Sequence, residues 1–216
     1  MIDVQNELKT DGAFQIFTEP GSVARRNTPI TSMENYRRSF QKKNLWTPVT
    51  SEFLLFCPRI IPDYIARGFV VEKHTIDNDR EAGGPDLFGA VWEWVPQVQG
   101  SMVRPGLPPL LPDIKEWEKH IIFPDPDGFD WAGSLKDNGA YLSEERPTIM
   151  WFMNGLFERL ISFMSFEDAA LALVVKDQKP AVHALLERLC DFYEEIFARY
   201  QSYYKANIIY LHDDWG

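Results

Sequence analysis

His212-Asp213-Asp214 is the strongest local signal of chemistry in the sequence, an imidazole and two carboxylates directly after the strand-like run 207–211. An apolar run of that length between breakers reads as a buried strand. In parallel α/β folds, sites are built at the carboxyl ends of such strands. Two adjacent carboxylates there are costly unless they bind a cation, a basic ligand group or a shared proton. A helix cap is the competing reading, because an aspartate after a strand commonly accepts from the first amides of a helix. Asp86 is the second candidate. It follows Gly83-Gly84-Pro85 and leads an aromatic stretch with Phe88, Trp92 and Trp94. That setting can raise its pKa, and it equally suits an aspartate in a turn. Phe88–Val95 is also broad and flat enough to line a pocket for a large planar ligand, with Trp92 in it. Arg59, just beyond Phe56-Cys57-Pro58, can clamp a carboxylate or phosphate with its planar fork or form an ordinary salt bridge. Glu52 carries the same two readings.

Other reactive residues are dispersed. His74, His120 and His183 stand alone, and Cys57 has no histidine near it in sequence. A buried inert thiol is the commoner fate of such a cysteine. No HExxH, P-loop or GxGxxG pattern occurs. Two cysteines far apart build neither a disulfide framework nor a CxxC metal knuckle.

The elements that must hold these residues follow from periodicity. Thr31, three residues before Glu34, opens a helix to about Lys43. Trp46–Phe53 reads as a strand. Arg59–Gly68 is a turn and short helix stopped by Gly68. Phe69-Val70-Val71 suits a short strand or a helix end, and Asp86–Val95 a strand or hairpin. Pro105–Pro112 excludes regular structure, and Asp113–His120 is a short helix. Pro147–Met153 is a continuous apolar run, a strand buried on both faces. Leu156–Met164 and Ser165–Val175 are helical. The clearest helix follows Asp177, with Pro180 in its first turn and Val182, Leu185, Leu186, Leu189, Tyr193, Ile196 and Tyr200 on one stripe. Strand, helices, long helix, strand is the pattern of a parallel sheet covered by helices on both faces. Residues 1–30 are weakly patterned and read as an N-terminal arm.

Composition bounds the rest. The chain has 216 residues, 45% hydrophobic, and so holds a real core rather than a disordered coil. Its net charge of -10 repels phosphate backbones and argues against nucleic acid as a partner. The polar N-terminus is no signal peptide. Runs such as Ala169–Val175 fall far short of the ~20 residues of a membrane span. A cytoplasmic protein without a membrane partner is expected.

Residues 31–216 resemble the uroporphyrinogen decarboxylase family. Asp177, Val182, Leu185, Leu186 and Leu189 follow that family's long-helix pattern, and the apolar strand after them ends on Asp213-Asp214-Trp215-Gly216, similar to its D-x-W-G. Earlier, Glu34–Phe40 with Trp46-Thr47-Pro48-Val49 resembles the first helix and strand. Pro85-Asp86-Leu87-Phe88-Gly89 to Trp92 resembles the D-x-F-G-x-x-W of the methyltransferase-like branch, and Phe152–Glu158 the third strand and its turn. The decarboxylases' R-x-x-G-R-Y arginine pair is broken here, since only Arg59, Pro62 and Tyr64 match its end. The methyltransferase-like branch is therefore the better fit.

The resemblance implies a (β/α)₈ barrel, of which 31–216 would be the N-terminal half. Its four strands would lie near 47–52, within 69–95, at 148–153 and at 207–212. It implies a corrinoid-linked methyltransferase, with uroporphyrinogen III decarboxylation in porphyrin biosynthesis and a non-catalytic ligand-binding fragment as alternatives. Asp86, Asp213 and Asp214 would be catalytic, and Arg59, Glu52, Trp92, His212 and Trp215 would bind substrate. Zinc and a corrinoid are implied for methyl transfer, with the metal ligands after Gly216, and no cofactor for decarboxylation. A tetrapyrrole or corrinoid ligand, a corrinoid protein and a second copy of the chain are the implied partners.

Overall fold

The continuous apolar run Thr148–Phe152 lies at the centre of a parallel sheet, with Thr148, Met150 and Phe152 buried on one face and Ile149 and Trp151 half-buried on the other. The computed structural model describes residues 4–7, 9–15 and 22–214. In chain order the helices and strands are α1 (Val4–Glu7), β1 (Thr10–Gln15), β2 (Ser22–Arg26), α2 (Ser32–Ser39), β3 (Leu54–Leu55), α3 (Pro62–Ala66), α4 (Asn78–Glu81), β4 (Gly83–Pro85), β5 (Val91–Val95), β6 (Gly100–Val103), α5 (Trp117–His120), α6 (Trp131–Asn138), β7 (Thr148–Phe152), α7 (Leu156–Phe163), α8 (Phe166–Val174), α9 (Lys179–Tyr204) and β8 (Ile208–Leu211). The fold is mixed α/β. β3, β7 and β8 form a parallel sheet in that order, β4, β5 and β6 an antiparallel one, and β1 pairs with β2 as an antiparallel hairpin within the expected arm. No closed barrel is formed.

β7 is the hinge of the parallel sheet. Leu54 and Leu55 pair with Thr148 and Ile149, and Ile149 to Phe152 pair in register with Ile208 to Leu211. Alternation sends Met150 and Phe152 to one face, where they are buried against α9. Phe152 meets Tyr193 and Phe197 with ring centroids 4.7 and 5.0 Å away. The α9 stripe is buried as its spacing predicts at Val182, Leu185, Leu189, Tyr193, Ile196 and Tyr200. α8 starts on Ser165, whose hydroxyl accepts from the Asp168 amide, and α2 on Thr31, which caps Glu34 in the same way.

Three expectations are corrected. Residues 46–53 are not a strand: 50–52 is a turn of 3₁₀ helix and β3 begins only at Leu54. The cause is Glu52, whose carboxylate folds back to accept from the Val49 amide and the Trp46 indole. Glu52 thus precedes the strand instead of ending it. Second, 69–95 gives no parallel strand. Val71 makes a single antiparallel bridge with Cys57, and 83–103 folds into the antiparallel meander of β4, β5 and β6. Gly83 and Gly84, at φ of 109° and 90°, take backbone conformations that side chains resist, and these carry β4 alongside β5. Third, β8 is an edge strand rather than a buried one. Its other edge has no neighbour among the described residues, and Tyr210 and Leu211 are exposed. α6 was not foreseen. It is short, with a side-chain cap from Asp130 on the Gly133 amide.

Among the described residues no helix is long and apolar enough to cross a membrane. Leu189 is fully buried in the α9 stripe. Leu189→Ala is expected to cost about 2–5 kcal/mol, the cost of a cavity in a packed core, measured by urea unfolding. A cost below about 1 kcal/mol would mean that α9 is not the cover of this sheet.

Candidate functional site

The carboxyl ends of β7 and β8 lie side by side, so the residues that follow them meet. Asp213 turns toward the start of α7. Its Oδ2 accepts from the Leu156 and Phe157 amides at 2.7 and 2.9 Å, and its Oδ1 from the Glu158 amide at 2.9 Å. Those amides have no partner inside the helix, and a negative charge there also meets the positive end of its dipole. The cap reading therefore holds, for a helix that precedes the strand in the chain. Gly155 makes the approach feasible. A Cβ at that position would lie 2.6 Å from the Asp213 side chain and from the His212 carbonyl.

With Asp213 facing α7, His212 and Asp214 converge on Glu158. His212 Nδ1 is 3.1 Å from Glu158 Oε2. Ligand atoms of Glu158, His212 and Asp214 all lie within 4.8 Å of one another, so among the described residues this group could hold a metal ion. Arg67 approaches the other oxygen of Glu158, with Nη2 3.3 Å from Oε1. Arg67 also donates to Ser101 Oγ and Asn154 Oδ1 and lies 4.4 Å over the Trp92 ring. It ties the antiparallel sheet to the ends of the parallel strands.

Beneath this surface cluster is a buried ionic one. Arg159, on α7, is fully buried between two aspartates, donating to Asp63 from Nη2 and to Asp86 from Nη1. Asp63 also accepts from the Asn154 amide group and the Leu87 amide. Asp86 accepts at Oδ1 from the Phe88 and Ala90 amides, and at Oδ2 from the Trp92 indole at 2.9 Å besides Arg159. Each Asp86 oxygen thus has two donors. Burial pushes the Asp86 carboxyl above the ordinary aspartate range, opposed chiefly by the Arg159 charge. The two aspartates in turn raise the pKa of Arg159. Tyr193 closes the cluster from α9. Its hydroxyl donates to the carbonyls of Asn154 and Gly155 and is pushed up to about 12 by burial.

The structure thus brings His212 and Asp214 together at the surface, with Asp213 beside them, and places Asp86 and Trp92 in the buried layer behind. Arg59 lies elsewhere, in an ion pair with Glu72 and donating to the His74 carbonyl. Glu52 closes its own turn, and Trp215 lies outside the described residues. Cys57 is buried, and burial raises its thiol pKa, so it stays protonated. Sequence reasoning missed Arg159, Asp63, Arg67, Asn154 and Glu158 as members of the site. Glu158-Arg159 within an apolar helix turn was the available signal, since charge on a buried face needs partners.

No family model matches the chain, and no curated protein or solved structure matches it. The functional reading therefore rests on the geometry above and on the sequence resemblance.

A carboxyl whose folded pKa is raised supports the fold below its unfolded pKa and loses that support as pH rises toward the folded value. Arg159→Met removes the cation that opposes the rise. The variant is expected to lose about 3–5 kcal/mol near neutral pH and to regain much of it at about pH 4, where the Asp86 carboxyl, pushed up by burial, protonates. Urea unfolding at both pH values measures this, and an equal loss at both would refute a dependence of the aspartates on Arg159. Asp213→Ala is expected to cost about 1–2 kcal/mol through the lost cap on α7, seen as faster amide exchange at Leu156, Phe157 and Glu158.

Proposed function

We propose that the chain supplies part of a (β/α)₈-type enzyme of the uroporphyrinogen decarboxylase family, on its methyltransferase-like branch, moving a methyl group to or from a corrinoid. The observation that carries this reading is the parallel order β3-β7-β8, with His212, Asp213 and Asp214 at the carboxyl end of β8 beside the β7–α7 turn. Sites of (β/α)₈ enzymes are built at that end of the strands. The edge of β8 that has no neighbour among the described residues supports further strands lying there. An uncovered edge with exposed Tyr210 and Leu211 is a pairing surface that soluble proteins cover or blunt.

On this reading Asp86 and Asp213 are positioning residues, because their oxygens are taken up by protein donors. Among the described residues here, Glu158, His212 and Asp214 are left to meet a ligand. Arg67 holds Glu158 in place, its own nitrogens donating to Ser101, Asn154 and Glu158. In the implied chemistry, zinc lowers a thiol's pKa and makes it a methyl acceptor. The described residues do not build a zinc site of His and Cys: Cys57 is buried, and Cys190 lies on the exposed face of α9.

The whole enzyme to which this chain would contribute is expected to demethylate methylcobalamin in the presence of a thiol, and the chain alone to bind the corrinoid, both followed by the change in corrinoid absorbance. Coproporphyrinogen formed from uroporphyrinogen would select decarboxylation instead. Binding of neither corrinoid nor porphyrin would overturn both. Hydrogen exchange adds a structural check. β8 amides should exchange quickly in the isolated 216-residue chain, and a monomer with slowly exchanging β8 amides would speak against missing strands at that edge.

A further inference from the structure

We propose that Glu158, His212 and Asp214 form a binding site for a zinc-class divalent cation, held by one imidazole and two carboxylates without any thiolate. This goes beyond the methyl-transfer reading, which places zinc on His and Cys ligands after Gly216, and it does not depend on it.

Geometry supplies the first argument. Two donors bound to one ion at about 2.1 Å are roughly 2.9–3.4 Å apart for octahedral to tetrahedral angles. His212 Nδ1 and Glu158 Oε2 are already 3.1 Å apart. Asp214 completes a set in which every donor lies within 4.8 Å of the others. The ligands are also held from behind. The Glu158 amide donates to Asp213, and Asp213, between His212 and Asp214, is fixed by that bond and two more to the start of α7. Glu158 is further fixed by Arg67 on Oε1, which leaves Oε2 for an ion. Such outer contacts orient ligands and are part of what makes a metal site tight.

Charge and donor type give the second argument. Glu158, Asp213 and Asp214 bring three negative charges to one place, and Arg67 returns one positive charge. A divalent cation balances the remainder. An imidazole in the set favours zinc, iron or cobalt over magnesium or calcium, which prefer oxygen donors throughout. The cation would sit between Nδ1 and Oε2, which now face each other at 3.1 Å. With only three protein ligands a coordination position stays open to water or substrate. The site is reachable, since the His212 side chain keeps 29% of its exposure and Asp214 is exposed. Beside it, Trp151 has a buried indole N–H without an acceptor among the described residues, its ring 5.7 Å from His212.

The test is direct binding of metal alone. Metal-free protein is titrated with Zn²⁺ against a chromophoric chelator, and with Co²⁺, whose visible spectrum reports nitrogen and oxygen ligation. One ion per chain is expected. His212→Ala and Asp214→Asn should each weaken binding by about tenfold or more, while His183→Ala combined with Cys190→Ser, the other exposed His/Cys pair, should leave it unchanged. Circular dichroism confirms that each variant folds, and Asp214 is exposed enough that its substitution leaves the core intact. Absence of stoichiometric binding overturns the proposal. So does affinity unaffected by both site variants, abolished by the His183/Cys190 variant, or equalled by Mg²⁺. Because no turnover is read, failure of methyl transfer and failure of this site are distinguishable.

Discussion

A guanidinium without water must be met by carboxylates, and Arg159 is met by two. Asp63 comes from α3, Asp86 from the loop between β4 and β5, and Arg159 from α7. One buried cation therefore joins three segments that share no strand pairing. Removing any partner leaves an uncompensated buried charge, which is far costlier than never having buried the set. The backbone amides of Leu87, Phe88 and Ala90 and the indole of Trp92 satisfy the remaining lone pairs. With that cluster formed, α7 is tied to its neighbours, and Glu158, next to Arg159 in sequence, is held buried beside the exposed Asp214 and half-buried His212.

Surface and interior are thus two layers of one arrangement. Asn154 spans them, donating to Asp63 and accepting from Arg67. Arg67 carries the connection outward to Glu158 and sideways over Trp92. The antiparallel sheet, which adds nothing to the parallel one by hydrogen bonding, is joined to it through these side chains. The ends of β7 and β8 can then hold an open cluster of charges because a closed one beneath keeps their supports still.

Local periodicity made much of this readable. α7, α8 and α9 and the strands β7 and β8 follow from apolar spacing and caps set within a few residues, such as Ser165 on Asp168. The stripe from Val182 to Tyr200 is buried as its spacing requires. What escaped was set by distant partners. Asp86 looked like either a turn residue or an acid with a raised pKa, and it is both: its amide contacts are local, but its cation lies 73 positions away. Asp213 looked like a site residue or the cap of a following helix, and it caps α7, behind it in the chain. The strand expected at 46–53 gave way to a turn because Glu52 bonded its own neighbours. The meander of 83–103 was hidden because Gly83 and Gly84 permit a backbone path that apolar patterning does not record. A barrel and a cofactor are implied by the resemblance alone, not by these elements.

Gly155 and Asp213 also set an order of events. Asp213 reaches back 57 positions to Leu156, and the space it enters exists only because residue 155 has no side chain. As a chain emerges from the ribosome, α7 is exposed well before β8. Its first turn must then wait, with its amides solvated, until α9 has been made and β8 has docked beside β7. The helix that carries Arg159 is consequently completed late in synthesis, by a segment made long after it.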